Sequence, residues 1–288
     1  MASSTDLIRY EREHSVVLLG IDNPPVNVLS GAVLDALQAA LRRVEADPEA
    51  RAVVLYGLAP RSFAAGANIR EMAPMGPTEA RVHGGRGQAT TVAIERLPLP
   101  VIAAVHGSCL GGGTEIALAC DFILASDEAM FGQPEINLGV MPGWGGTRRL
   151  PRRIGAVGAR RWILTGKPVV AREAYEMGLL EKVVPRSELM PAAIALARDL
   201  AQKAPVALAA AKYALNRALD PGQAEGLAYE QDLWARLFGT PDQKTGMAAF
   251  LEKRAWVSEG RGSWAERSVD FPWSAASGPD AKRNNRAA

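Results

Sequence analysis

The chain has few of the features that mark cross-linked, secreted or membrane proteins. Its 288 residues include only two cysteines, Cys109 and Cys120, too few for a disulfide framework, which favours a reducing compartment. The N-terminal segment lacks the apolar stretch of a signal peptide, and no run approaches the ~18 apolar residues that a membrane span requires. We therefore expect a cytoplasmic protein that has no membrane partner.

An excess of charge of one sign is also missing. Lys and Arg total 33, Asp and Glu total 31, and the formal net charge is +2. This balance gives no strong field that would attract nucleic acid. The arginine pairs at 148–153 (RRLPRR) and at 160–161 are interpreted as solvated helix faces, so we expect no nucleic-acid partner. The composition is that of an ordinary globular protein, and the length fits one large domain with or without an appendage.

Short apolar runs alternate with segments of helical periodicity. Runs at 16–21, 52–56, 101–105 and 122–125 predict buried strands, and the spacing of apolar residues at 32–44 predicts a helix with Ser30 as its N-cap. This alternation favours an α/β fold with a mainly parallel sheet. From about residue 192 onward, the sequence shows only helical patterns. We predict a core at 1–191, a helical region at 192–256 and a flexible tail at 257–288.

A loop of small residues follows the second predicted strand, with the sequence Ser62-Phe63-Ala64-Ala65-Gly66-Ala67-Asn68-Ile69. Small side chains let a ligand approach the backbone closely. The alternative is a tight strand-to-helix turn in which Asn68 is the N-cap.

Three glycines and an acid follow the third strand, as Gly111-Gly112-Gly113-Thr114-Glu115. The free N–H groups of a helix N-terminus favour a negative oxygen. A P-loop would end in Gly-Lys-Ser/Thr, and the dinucleotide-binding pattern fails because position 116 is Ile. Close packing of strand against helix is the remaining alternative.

A second acid, Glu135, lies in the sequence Phe131-Gly132-Gln133-Pro134-Glu135, and PGWGG follows at 142–146. A carboxyl group among apolar residues should have a raised pKa, which suits proton transfer near neutrality. A surface acid on a loop is the alternative. Trp144, between two glycines, could line or shield a ligand pocket, or could simply pack.

In order, the motifs FAAGAN, GGGTE, GQPE and PGWGG resemble those of the crotonase, or enoyl-CoA hydratase/isomerase, superfamily. The resemblance covers about residues 16–256. It implies the crotonase (ClpP-like) spiral fold, with two near-perpendicular sheets and a C-terminal helical trimerisation region, and hence a homotrimer or homohexamer.

The resemblance also implies a reaction, the syn-addition of water to a 2-trans-enoyl-CoA to give a 3-hydroxyacyl-CoA. By this resemblance the N–H groups of Ala67 and Gly112 form an oxyanion hole. Glu115 activates water, Glu135 supplies the proton to C2, and the backbone of Gly143 lies close to the water and the acyl chain. Neither a metal nor a cofactor is expected; coenzyme A enters as part of the acyl-CoA thioester substrate.

Further positions are expected to contact the substrate. Coenzyme A would lie along the loop at 63–67, and residues near the end of the chain would reach it from a neighbouring subunit. The expected contacts are Phe63, Ala64, Ala65, Gly66, Asn68, Ile69, Gly111, Pro134, Pro142, Trp144, Phe250 and Lys253. Asn68 replaces the Asp of the family pattern, so a negative charge is absent there; acyl chain length is not predicted.

Three alternative functions stay open. A 3,2-enoyl-CoA isomerase needs only one well-placed acid, whereas retention of both glutamates favours hydration. An RNA-binding relative would use the arginine pairs. A catalytically silent subunit would recruit a partner enzyme. Dehalogenase, decarboxylase and ring-forming relatives usually replace one of the two acids, which counts against them.

Overall fold

The computed structural model describes residues 7–218 and 222–258, which form an α/β fold of two sheets and surrounding helices. The strands are β1 Ile8–Glu13, β2 Val16–Ile21, β3 Ala52–Gly57, β4 Ser62–Ala64, β5 Val101–Val105, β6 Ser108–Leu110, β7 Phe122–Ser126, β8 Met130–Gly132, β9 Val169–Val170 and β10 Lys182–Val184. The helices are α1 Gly31–Ala46, α2 Ile69–Met72, α3 Pro77–Arg96, α4 Gly112–Ala119, α5 Gly146–Thr165, α6 Ala171–Glu176, α7 Leu189–Ala201, α8 Pro205–Arg217, α9 Gln223–Leu237 and α10 Pro241–Leu251, with 3₁₀ helices at Pro134–Leu138 and Arg186–Glu188.

The larger sheet has six strands in the order β1-β2-β3-β5-β7-β10. Only β1 is antiparallel to its neighbour. The central strands are nearly uninterrupted apolar runs because helices cover both faces of a parallel sheet. On one face, Leu189, Ala193 and Ala197 of α7 pack against Val16 and Leu18. The helix predicted from 192 therefore begins at Leu189 and belongs to the sheet layer.

The smaller sheet, β4-β6-β8-β9, brings three loops together. Strands β4, β6 and β8 lie parallel and side by side, with Ala64 opposite Cys109 and Leu110 opposite Gly132. Because parallel strands end at one edge of a sheet, the segments that follow them emerge next to one another. These segments are 65–68, 111–115 and 133–138, which carry the sequence motifs.

The predicted fold class is confirmed: the chain is α/β, with helices at its C-terminal end. The two caps predicted from sequence are also present, since Ser30 accepts from the N–H of Val33 and Asn68 from that of Arg70. Beyond residue 258, the tail predicted for 257–288 lies outside the described residues. Within the described ranges, no helix has the length and apolar character needed to cross a bilayer.

Candidate functional site

The loop after β4 contacts the start of α4 directly. Gly66, at φ +97°, is so close to the neighbouring chain that an added Cβ would lie 3.1 Å from the carbonyl oxygen of Leu110 and 3.9 Å from the Cα of Gly111. A Cβ on Gly113 would overlap the carbonyl oxygen of Ala64. Glycine is therefore needed where the two loops meet.

Two backbone N–H groups are free at this junction. Ala67 follows Gly66, and Gly112 is the first residue of α4, where helix N–H groups have no partner within the helix. In the described part of the chain, neither N–H donates to a protein acceptor. The helix dipole adds partial positive charge at the same place. Ala67 and Gly112 thus lie on adjoining loops as available donors for a negatively charged oxygen.

Glu115 is one turn into α4, and its side chain is buried. The residue is 2% exposed, and its Oε1 accepts from the N–H groups of Trp144, at 2.7 Å, and Gly146, at 2.8 Å. Burial raises the pKa of this carboxyl group, while the two N–H donors and the Arg149 guanidinium oppose the rise. The carboxyl group is consequently fixed in orientation through one oxygen.

Glu135 lies in the 3₁₀ helix Pro134–Leu138 and is half-buried. Its Oε1 would be 3.2 Å from a Cβ on Gly111, so this carboxyl group faces the loop that opens α4. Burial raises its pKa to about 7, a bond from its own N–H opposes the rise, and the charge of Glu115 adds to it. The two acids predicted from sequence therefore face one site and interact electrostatically.

Trp144 forms a wall of this site. The residue is 4% exposed, and its indole ring occupies the space that a Cβ would need at Gly112 and at Gly87 of α3. His83 packs against it with ring centroids 5.9 Å apart, and the buried Nε2 of His83 has no hydrogen-bond partner among the described residues.

Several other predicted site residues are positioned through their backbones. Phe63 is fully buried. Its backbone N–H donates to the carbonyl of His106, and its carbonyl accepts from Asn27 Nδ2. The N–H of Ala65 donates to Val26. The carbonyl of Gly143 accepts from Gln88 Nε2 at 2.9 Å.

The side chains of the remaining predicted residues differ in exposure. Pro142 is buried, Pro134 is half-buried and Ile69 is 55% exposed. Phe250, at the end of α10, is 83% exposed, and Lys253 follows it on the surface. In the described chain, no hydrogen bond or ion pair links these two residues to the neighbourhood of Glu115.

Sequence reasoning missed Gln133. Its side chain is fully buried, and with its amide nitrogen turned toward Glu135 it donates to both carboxylate oxygens, at 3.1 and 3.2 Å. This bond favours the charged form of Glu135 and so acts against the effect of burial. The available signal was its position, two residues before an acid in a glycine-framed segment.

The interpretation of the arginine pairs as solvated faces is wrong for Arg149 and Arg153. The side chain of Arg149 is 11% exposed and forms a bidentate ion pair with Glu95, at 2.8 and 2.5 Å. Arg153 donates to the carbonyls of Leu118, Cys120 and Asp121 at the end of α4. Both arginines find acceptors on elements far away in sequence, which a helical pattern alone does not reveal.

Comparisons with known proteins point to one family. The sequence profile of the family described as enoyl-CoA hydratase/isomerase matches residues 11–261. The short-chain-enoyl-CoA hydratase of Clostridium acetobutylicum is 42% identical over 245 residues, which are 85% of this chain and 94% of that protein. The crotonyl-CoA hydratase of Syntrophomonas wolfei is 40% identical over 245 residues, with the same shares of the two chains.

Solved structures of enoyl-CoA hydratases are also similar to this chain. The crystal structure of an enoyl-CoA hydratase from Bacillus anthracis aligns with a TM-score of 0.82 and 38% identity, over 86% of this chain and 97% of that one. The profile match covers most of the chain and spans all the segments that build the site. The chain therefore belongs to the enoyl-CoA hydratase/isomerase family.

Proposed function

We propose that the protein hydrates short-chain 2-trans-enoyl-CoA thioesters to 3-hydroxyacyl-CoA. The relatives named short-chain-enoyl-CoA hydratase and crotonyl-CoA hydratase support the reaction class. The observation that carries the proposal is the convergence of two carboxyl groups, Glu115 and Glu135, on the N-terminus of α4, beside two free N–H groups.

In the proposed reaction the thioester carbonyl oxygen accepts from the N–H groups of Ala67 and Gly112. These donors stabilise the negative charge that the oxygen gains as the enolate develops. Glu115 takes a proton from water while the water oxygen bonds to C3. Glu135 gives its proton to C2, and the carbonyl re-forms. The two N–H bonds to Oε1 of Glu115 leave its Oε2 for the water.

The pKa of Glu135 suits this division of roles. A value of about 7 means that a substantial fraction carries a proton at neutral pH and can donate it. Burial raises the pKa of Glu115, but its two N–H bonds and the nearby Arg149 oppose this rise and favour the charged form. A charged Glu115 and a protonated Glu135 are the forms that hydration requires.

The preference for short chains rests on Trp144. Its indole ring lies directly against the Cα of Gly112. If the thioester carbonyl is hydrogen-bonded to the N–H of Gly112, the acyl chain will reach the ring after only a few carbon atoms. We expect turnover of crotonyl-CoA to exceed that of a ten-carbon enoyl-CoA.

The first test is the loss of ultraviolet absorbance of crotonyl-CoA when the purified protein is added. We expect a rapid fall for the native protein and a loss of about 10²-fold or more for Glu115→Gln and for Glu135→Gln. Glu176→Gln is the matched control, because Glu176 is an exposed acid paired with Arg172. Near-native turnover by both site variants would disprove the mechanism, and rearrangement of a 3-enoyl-CoA without hydration would favour an isomerase.

The chain-length proposal has its own test. Trp144→Leu should raise the ratio of kcat/KM for a ten-carbon substrate to that for crotonyl-CoA. Trp162→Leu is the control, because Trp162 is also buried but lies in α5 against Met177. An equal change of the ratio in both variants would show that general loosening, not the wall at Gly112, sets the preference.

A further inference from the structure

The peptide groups around Trp144 connect Glu115 to a partly buried arginine, Arg149. The N–H of Trp144 donates to Glu115 Oε1, while the carbonyl of the same residue accepts from Arg149 Nη1, at 2.8 Å, and from Thr91 Oγ1, at 2.9 Å. Arg149 Nη1 also donates to Thr91 Oγ1, at 3.1 Å. The residue that contacts Glu115 is thus fixed on its other side by two donors that contact each other.

The guanidinium of Arg149 is fixed in turn. Glu95 of α3 accepts from Nε and Nη2 in a bidentate pair, and the side chains of Arg149 and Glu95 are only 11% and 27% exposed. Paired bonds of this geometry restrict both position and rotation. Gly145, at φ +113°, passes so close that a Cβ there would overlap Nη1. Trp144 and Gly145 of the loop 143–146 therefore lie directly against the guanidinium.

We propose that Arg149, held by Glu95, is a positioning residue for Glu115: it fixes the loop 143–146 so that the Trp144 and Gly146 N–H groups orient the carboxylate toward the reacting water. The proposal rests on the function proposed above. Arg149 itself need not touch the substrate, because its effect passes through the Trp144 peptide. A misplacement of about 1 Å at a reacting group can lower a rate by about 10²-fold.

A purely structural role would tether α5 to α3 and no more. The two roles differ in their effect on the protonation of Glu115, since the charge of Arg149 and the two N–H bonds lower its pKa. The other elements packed around α4 also bring titratable or charged groups near it. Glu135 lies beside Glu115, His83 packs against Trp144, and Glu95 pairs with Arg149. Farther away, Arg153 donates to carbonyls at the opposite end of α4, and the Cys109 thiol, whose pKa burial raises, contacts Thr114.

The test compares Arg149→Met with Arg161→Met. Arg161 lies on the same helix in a surface pair with Glu173 and serves as the matched control. For Arg149→Met we expect kcat for crotonyl-CoA to fall at least tenfold with little change in KM. We also expect the acid limb, the low-pH side of the plot of kcat against pH, to move to higher pH. The Arg161→Met control should keep the native kcat and the native position of the acid limb. A variant that loses thermal stability but keeps both kcat and limb would overturn the proposal.

A milder variant covers the case in which Arg149→Met does not fold. Thr91→Val removes one of the two donors to the Trp144 carbonyl and leaves the Arg149–Glu95 pair intact. We expect a several-fold fall in kcat and a small shift of the acid limb in the same direction, with Thr91→Ser close to native. The proposal would be contradicted if Thr91→Val and any folded Arg149 variant kept the native kcat and the native position of the acid limb.

An NMR titration separates this inference from the proposed function. Carboxyl-¹³C-labelled glutamate, assigned with Glu115→Gln, reports the pKa of Glu115 without turnover. A higher pKa in Arg149→Met or Thr91→Val than in the native protein supports the positioning role even if crotonyl-CoA is not hydrated. An unchanged pKa overturns the role even if the native protein is an efficient hydratase.

Discussion

The raised pKa of Glu135 suits proton transfer but lowers the stability of the folded protein as pH rises. Its pKa in the folded chain is about 7, against an ordinary value of 4.5. Between these two values the folded state holds a proton that the unfolded state has released, so stability falls as pH rises through this window. The group is most useful as an acid in the pH range where its burial destabilises the protein.

Glu135→Gln should separate the two effects. Because glutamine has no charge to desolvate, we expect the variant to have a higher Tm than the native protein at pH 8 and the same Tm near pH 4, while hydration is lost. Thermal unfolding of both proteins across this range measures the difference, with Glu176→Gln as the control. A variant that is equally stable or less stable at pH 8 would contradict the burial argument.

The two acids could be predicted from sequence because glycines and apolar residues surround each of them. Gln133 and Arg149 could not. The bonding of Gln133 depends on a rotation of its side chain inside the site, and the partner of Arg149 is 54 residues away on α3. Local patterns indicate whether an arginine can lie on a helix face, but not which acceptor that face meets.

At the scale of elements, α3 contains glycines with opposite surroundings. Gly85 has open space where a Cβ would project, whereas a Cβ on Gly87 would overlap the Trp144 ring. Alanine is favoured over glycine inside a helix. The segment HGGRG at 83–87 is fully helical despite its three glycines.

Gly85→Ala should therefore stabilise the protein by ~0.5–1 kcal/mol. Gly87→Ala should instead destabilise it by about 1–3 kcal/mol, because overpacking outweighs the gain in helix propensity. Urea unfolding of the two variants measures both values. Destabilisation by Gly85→Ala would mean that an open helix surface is not what surrounds it.

Strands β2, β3, β5 and β7 of the larger sheet could be predicted almost to the residue, since each is a short, nearly uninterrupted apolar run. β1 could not: its sequence IRYERE is an edge strand that is mostly exposed, so it lacks an apolar run. Strands β4, β6 and β8 have three residues each, too short for a periodicity to register. Pattern reasoning thus missed the whole of the smaller sheet, which assembles the site.

At the scale of the molecule, the C-terminal helices expose large apolar side chains. Trp234 on α9 is 60% exposed, and Leu251 and Phe250 at the end of α10 are 79% and 83% exposed. Large apolar side chains left exposed on two helices favour contact with another chain. We expect a homotrimer or homohexamer, so light scattering should give three or six times the mass of the chain. A single-chain mass at micromolar concentration would contradict this expectation.

Lys253 tests the prediction that the end of α10 reaches coenzyme A. Lys253→Ala should raise the KM for crotonyl-CoA several-fold and leave kcat unchanged, because a phosphate contact contributes to binding and not to the chemical step. Crotonyl-pantetheine, which lacks the nucleotide phosphates, should show no such change. Lys244→Ala is the control, because Lys244 is an exposed lysine within α10. Equal effects of both variants would argue for general electrostatic attraction.

The fit of Trp144 between Gly87 and Gly112 also restricts the order in which mutations can accumulate. While the indole is present, alanine at either glycine is overpacked. Once position 144 has become small, the three atoms nearest to the added methyl group at each glycine are gone. Gly113 gains no such freedom, because the obstacle there is the backbone of Ala64. A lineage, or a directed-evolution campaign, that remodels this wall must therefore change the tryptophan first, and the same substitutions in the reverse order pass through disfavoured intermediates.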